Sequence, residues 1–147
     1  MAFAVEVRNV DGQVTALGSA GPYTLVVDRP RSASGGGQGF SGGELLHLAV
    51  AACISNDLFR EAGGRGLRLH RVLVHVDGDF SGTPATSTGI TYDVELSGEA
   101  DEEVLRDLIA HVDTIAEIPA TLRAGTSVAL RSATTTSLPV AAGWEEL

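Results

Sequence analysis

"ELLHLAVAACISNDLFREAGG", Glu44 to Gly64, decides how this chain folds. Apolar residues recur through it with few breaks, which predicts one long helix. Ser41, three residues before Glu44, gives the S-x-x-E spacing of a capping box at its start. Phe40 and Leu45 take the two positions of a hydrophobic staple around that cap. Gly63 and Gly64 predict its end. The only cysteine of the chain, Cys53, falls in its middle.

The surroundings of Cys53 on a helix can be read directly. Ala49 lies at i−4, Asn56 and Asp57 at i+3 and i+4. The small residues Ala49, Ala51 and Ala52 would let another backbone approach closely. Asn56 and Asp57 place polar groups on a surface expected to be partly buried, and such groups need partners. The thiol sits about three turns into the helix, beyond the reach of the N-terminal dipole. Asp57 beside it disfavours a second negative charge. A reactive thiolate would therefore need a cation from another segment, and arginine is the only strong one available. The competing reading is a buried, inert cysteine.

Composition limits the rest. The chain has 147 residues, which favours one domain with one core, and 44% hydrophobic with 20% charged residues is ordinary for a globular protein. A net charge of −9 argues against nucleic acid and against an anionic membrane surface as partners. All ten basic residues are arginine, so Schiff-base chemistry and a P-loop lysine are excluded. One cysteine cannot form an internal disulfide, and a zinc cluster is not expected. "MAFAVEVRNV" lacks the pattern of a signal peptide, and no apolar run reaches the ~18 residues of a membrane span. A cytoplasmic location is expected.

Upstream of the helix, Val5 and Val7 alternate with polar neighbours, Asp11-Gly12 signals a turn, and "QVTALGS" and "YTLVVD" read as two more strands. "RPRSASGGGQG" is Gly- and Ser-rich and reads as a mobile loop. Downstream, "HRVLVHVDGDF" and "TGITYDVELSG" alternate as a long hairpin. "DEEVLRDLIAHVDTIAE" has helical spacing with an acidic opening. Pro119 breaks that helix and opens the first turn of a short one, "PATLRAG". "TSVALRS" reads as a last strand. Residues 133–147 form a tail with little pattern, with Trp144 suited to packing. The order is βββ-α-ββ-α-α-β, an α+β fold in a single domain over residues 1–147.

Two other constellations are weak. Gly37-Gln38-Gly39-Phe40-Ser41-Gly42 matches G-x-G-x-x-G, but no strand runs directly into it and no βαβ unit follows, so a dinucleotide site is not expected. His47, His70, His75 and His111 show no metal-ligand spacing; His70 and His75, five apart on a strand, point to opposite faces. No metal or bound cofactor is expected.

Taken in order, "GGGQGFSGGELLHLAVAACISNDLFREAG", "VLVHVDGDF" and "IAEIPATLRAGTSV" resemble the OsmC/Ohr family of peroxide-reducing proteins. The pattern (S/T)-x-P-x-E-L-L…A-A-C falls on Ser41, Glu44, Leu45, Leu46, Ala51, Ala52 and Cys53. "VVD" at Val26–Asp28 before the Gly-rich loop resembles the OsmC-like branch. The resemblance runs from Val5 to about Leu130 in the same element order.

It implies an intertwined homodimer with sites at the subunit interface. It also implies a peroxidatic thiolate at Cys53 that attacks an organic hydroperoxide and becomes a sulfenic acid. In the family an arginine from the N-terminal region holds the thiolate. A second cysteine resolves the sulfenic acid, and an external dithiol, often lipoyl-based, resets the enzyme. Here the second cysteine falls on Ile118, before Pro119. The helix-start proline falls on Gly42 and the acidic residue after it on Gly43, with Glu44 at the next position. The family's early arginine falls near Val10, with Arg8, Arg29 and Arg31 as candidates in its place and Arg29 preferred. The site expected from the resemblance is thus Cys53, Arg29 and Glu44.

Two functions follow. One is a one-cysteine reductase of organic hydroperoxides, resolved by an external thiol. The other is a non-catalytic relative that binds a small apolar ligand at the dimer interface. Isoleucine in place of the resolving cysteine suggests a dry neighbourhood and favours the second.

Overall fold

The computed structural model describes residues 2–126, 128–133 and 136–139. Its element order is β1 (Glu6–Asn9), β2 (Ala16–Ala20), β3 (Tyr23–Val27), α1 (Gly42–Gly64), β4 (Leu69–Ser81), β5 (Thr86–Gly98), α2 (Glu102–Ile115) and α3 (Glu117–Ala124). The fold is α+β, as the patterning predicts. Both sheets are antiparallel: a β1-β2-β3 meander and a β4-β5 hairpin. With no parallel pair inside either sheet, the G-x-G-x-x-G run has no βαβ unit to serve.

The helix starts as the capping box requires. The Ser41 side chain accepts from the Glu44 N–H at 3.3 Å, and the Glu44 carboxylate accepts from the Ser41 N–H at 3.0 Å. That N–H, with the Ser41 hydroxyl, holds the Glu44 carboxyl below its usual range. The helix ends slightly later than the glycine pair suggests. Gly63 and Gly64 are still helical, Arg65 is the cap, and Gly66 takes the left-handed conformation at φ 66°.

One core lies between the helices and the hairpin. Ile54, Leu58 and Ala62 of α1 pack against Leu108, Val112 and Ala116 at α2, all at most 1% exposed. Val72 and Val74 of β4 and Val94 and Leu96 of β5 close it from the sheet side. The alternation read from sequence supplies this apolar face. It is interrupted at two points, between Leu69 and Arg71 and between Asp79 and Phe80; the first shifts the parity, so His70 and His75 are both exposed instead of facing opposite ways.

Two expectations need correcting. "TSVALRS" forms no strand among its described residues; Val128 and Leu130 stand 96% and 86% exposed. Alternation makes a segment fit to be a strand, but a strand exists only when an edge pairs with it. "RPRSASGGGQG" contains a short 3-10 turn at Arg31–Ala33 and is tied by backbone N–H groups to Asp28. Trp144 and the end of the tail lie outside the described residues.

Candidate functional site

Cys53 is partly buried and packs against the core cluster. Among the described residues its polar neighbour is Asp57, with Oδ2 at 3.9 Å from Sγ. Asp57 is 6% exposed. Its Oδ1 pairs with Arg60 at 2.9 Å; Arg60 also reaches Glu61 at 3.3 Å, and Glu61 meets His111 of α2 at 3.1 Å. A chain of polar contacts therefore runs from the thiol along α1 to the neighbouring helix. Asp57 is buried as the spacing suggests, whereas Asn56 is exposed. Arg60 was hidden in the sequence because its exposed, three-residue offset from Asp57 looks like any solvated helix pair.

On the same side of α1, at i−3 and i−7 from Cys53, Val50 and Leu46 line a cavity of about 300 Å³. Ile90, Pro119 and Leu122 close it, with Ser87, Tyr92 and Arg123 as its polar members. The cavity thus joins the helix that carries Cys53 to the turn that carries Ile118. The Tyr92 hydroxyl donates to Asp113, which also accepts from Arg123 at 2.8 Å. Burial, then that bond to Asp113, pushes the Tyr92 phenol up to about 12. The Tyr92 hydroxyl and Arg123 hold the Asp113 carboxyl below its usual range.

The expected partners of Cys53 sit elsewhere. Glu44 is occupied in the helix cap. Arg8 is exposed and pairs loosely with Asp11 at 3.7 Å. Arg31 folds back, its Nε donating to the Gly36 carbonyl at 3.2 Å. The Arg29 side chain makes no hydrogen bond or ion pair among the described residues, and no arginine there bonds the Cys53 sulfur. Within one chain the structure does not bring Cys53, Arg29 and Glu44 together.

The loop bearing Arg29 and Arg31 is built around Asp28, which is 3% exposed. Its carboxylate accepts from the N–H groups of Gly36 at 3.0 Å, Arg29 at 2.7 Å and Gln38 at 3.1 Å, and from the Thr15 hydroxyl at 2.9 Å. The Gly36 N–H is the largest influence, and with the other donors it holds this carboxyl below its usual range against the opposing effect of burial. The glycines are needed for close approach: a Cβ on Gly36 would lie 2.6 Å from the Asp28 carboxylate, and one on Gly39 2.3 Å from the Val26 carbonyl. Only the sequence "VVD" before the glycines hinted at this; the donors come from residues too far apart to be read as a motif.

His47 is a structural member of α1. Its Nδ1 donates to the Gly43 carbonyl at 2.6 Å, and its ring meets Phe80 edge-on. Its Nε2 is packed so close to Gly78 that a Cβ there would lie 2.2 Å away. Among the described residues no group of three or more His, Cys, Asp or Glu side chains could hold a metal ion. No described helix is long and apolar enough to cross a membrane.

The sequence profile of the OsmC-like protein family matches residues 35–131. The chain belongs to the OsmC-like family. Solved structures of the same fold agree. An OsmC-like protein from Mycoplasma pneumoniae superposes with a TM-score of 0.72 at 18% identity, covering 85% of this chain and 89% of that one. An organic hydroperoxide resistance protein OsmC from Legionella pneumophila gives 0.66 at 16% identity, over 84% and 90%. The organic hydroperoxide resistance protein OhrB of Bacillus subtilis gives 0.60 at 17% identity, over 85% and 93%. At these identities the likeness is one of fold. No curated protein sequence matches this one.

Proposed function

We propose that this OsmC-like protein is a one-cysteine reductase of organic hydroperoxides, acting in peroxide defence in the cytoplasm. Cys53 is the attacking thiol, and an external thiol, such as a lipoyl dithiol, resolves its sulfenic acid. The observation that carries the reading is the position of Cys53: it lies on the helix face of Val50 and Leu46, one turn beyond the mostly apolar cavity that those two residues line. An alkyl or aryl hydroperoxide suits such a lining. Two of the structural relatives are named organic hydroperoxide resistance proteins, which supports the same chemistry.

The active unit in this proposal is a homodimer. Val7 and Tyr23 on the β1-β2-β3 sheet, and Val5 just before β1, stand more than half exposed, and an apolar surface of that kind marks an interface. Arg29, whose side chain has no tie among the described residues of its own chain, is the arginine this reading assigns to the thiolate of the partner subunit. Arg31 is spent on Gly36 and Arg8 on Asp11. Glu44 contributes by capping the helix that carries the cysteine.

The test is consumption of cumene hydroperoxide with excess dithiothreitol or dihydrolipoamide, beside Cys53→Ala. Turnover that disappears in the variant supports the proposal; no turnover in either refutes it. The second reading, a binder of small apolar ligands, is favoured by the same cavity and by Ile118. It predicts a thermal shift with apolar ligands that Cys53→Ala leaves unchanged.

A further inference from the structure

Among the described residues, Asp57 is the one buried carboxylate whose placement the fold does not explain. A carboxylate in the middle of a helix, 6% exposed, is costly to keep there. Its single arginine is more than half exposed, so the ion pair alone does not compensate for that burial. Arg60 holds Oδ1, and Arg60 is itself fixed through Glu61 to His111 of α2. Oδ2 is left facing the thiol, with no other partner among the described residues. The separation of 3.9 Å is long for S–H···O, and catalytic hydrogen bonds are often long until substrate is bound.

We infer that Asp57 is the proton carrier for Cys53, an inference that rests on the one-cysteine reading. The reaction needs a proton moved twice. The thiol must lose one to become a nucleophile, and the alkoxide leaving group must gain one. Asp57 Oδ2 takes the proton from Sγ. A sulfur lone pair forms the S–O bond to the terminal peroxide oxygen as the O–O bond breaks, and the bonding pair leaves on the alkoxide. The protonated Asp57 then gives its proton to that alkoxide. Cys53 becomes a sulfenic acid, oxidised by two electrons; the hydroperoxide becomes an alcohol, reduced by two; Asp57 is again a carboxylate. The external thiol then reduces the sulfenic acid, forming a disulfide and releasing water.

This role has a signature that packing alone does not produce. Alkylation by iodoacetamide also needs Sγ to lose its proton, but the iodide it expels takes none up, whereas peroxide cleavage needs a proton at the leaving oxygen as well. The rate of Cys53 oxidation by cumene hydroperoxide in a single turnover, and its rate of alkylation, would be followed by mass spectrometry. In Asp57→Asn, oxidation loses both the proton acceptor and the proton donor and is expected to fall by roughly 100-fold, whereas alkylation loses the acceptor alone and is expected to fall by about 10-fold or less. Asp57→Glu, which keeps a carboxylate, should recover most of the oxidation rate. If Asp57→Asn does not fold, Asp57→Ser supplies the same pair of rates. Oxidation and alkylation that fall by the same factor, or oxidation that does not change, overturn the role of Asp57 and leave the one-cysteine reading intact. A wild-type Cys53 that hydroperoxide does not oxidise overturns both.

Discussion

Two buried aspartates make opposite use of their oxygens. Asp28, at the entrance to the glycine-rich loop, accepts four hydrogen bonds, three of them from backbone N–H groups. Asp57, on the long helix, has one arginine on one oxygen and a thiol near the other. A saturated carboxylate defines a shape and has no capacity left for chemistry. A carboxylate with an open oxygen beside the only thiol of the chain is costly as structure and useful for moving a proton. The first region is read here as scaffold and the second as site.

The largest expected effect on stability comes from emptying the scaffold. Asp28→Ala strands three N–H donors at once and should lower Tm by roughly 5 °C or more, measured by calorimetry. A wild-type Tm would remove Asp28 from the scaffold. Acid tests the same group without mutation. Because the Asp28 and Glu44 carboxyls are held below their usual range, their contribution is fully present above the ordinary carboxylate pKa. It is lost as pH falls through the lower folded values, below about pH 4. Denaturant midpoints from pH 7 down to pH 3 should show that loss, and less of it in Asp28→Ala.

Arg60→Ala probes the other aspartate. Removing the one cation on Asp57 should cost about 2 kcal/mol in urea unfolding, because a mostly buried charge loses its partner. It should also alter how fast Cys53 reacts; a variant with native thiol kinetics would uncouple the helix network from the sulfur. Arg31→Ala is the smallest change. Its Nε bond to Gly36 lies at the surface, and its loss should cost about 0.5 kcal/mol. A cost several times larger would mean that the loop depends on Arg31 more than on Asp28.

Much of this architecture is legible in the sequence because it is periodic or local. The capping box at Ser41 and Glu44, the alternation of Val72 to Val76 and of Ile90 to Leu96, and the turn at Pro119 each report a short-range rule. The Cys53–Asp57 spacing on one helix face is equally local. The Asp28 cluster is not, since its donors come from Thr15 and from a loop that ends ten residues beyond it. The link from Arg60 through Glu61 to His111 crosses between helices that are distant in sequence. "TSVALRS" shows the converse failure: its alternation is right for a strand, but among the described residues it pairs with no sheet edge.

The central claim is that Cys53 is a reagent, and its oxidation state after one exposure to hydroperoxide tests that most directly. The purified protein would be mixed with one equivalent of cumene hydroperoxide in the presence of dimedone, and Cys53 analysed by mass spectrometry. The account predicts a dimedone adduct on Cys53, the mark of a sulfenic acid, with an equivalent of cumyl alcohol. A free, unmodified Cys53 beside intact hydroperoxide would contradict it and leave the thiol as a residue of the core.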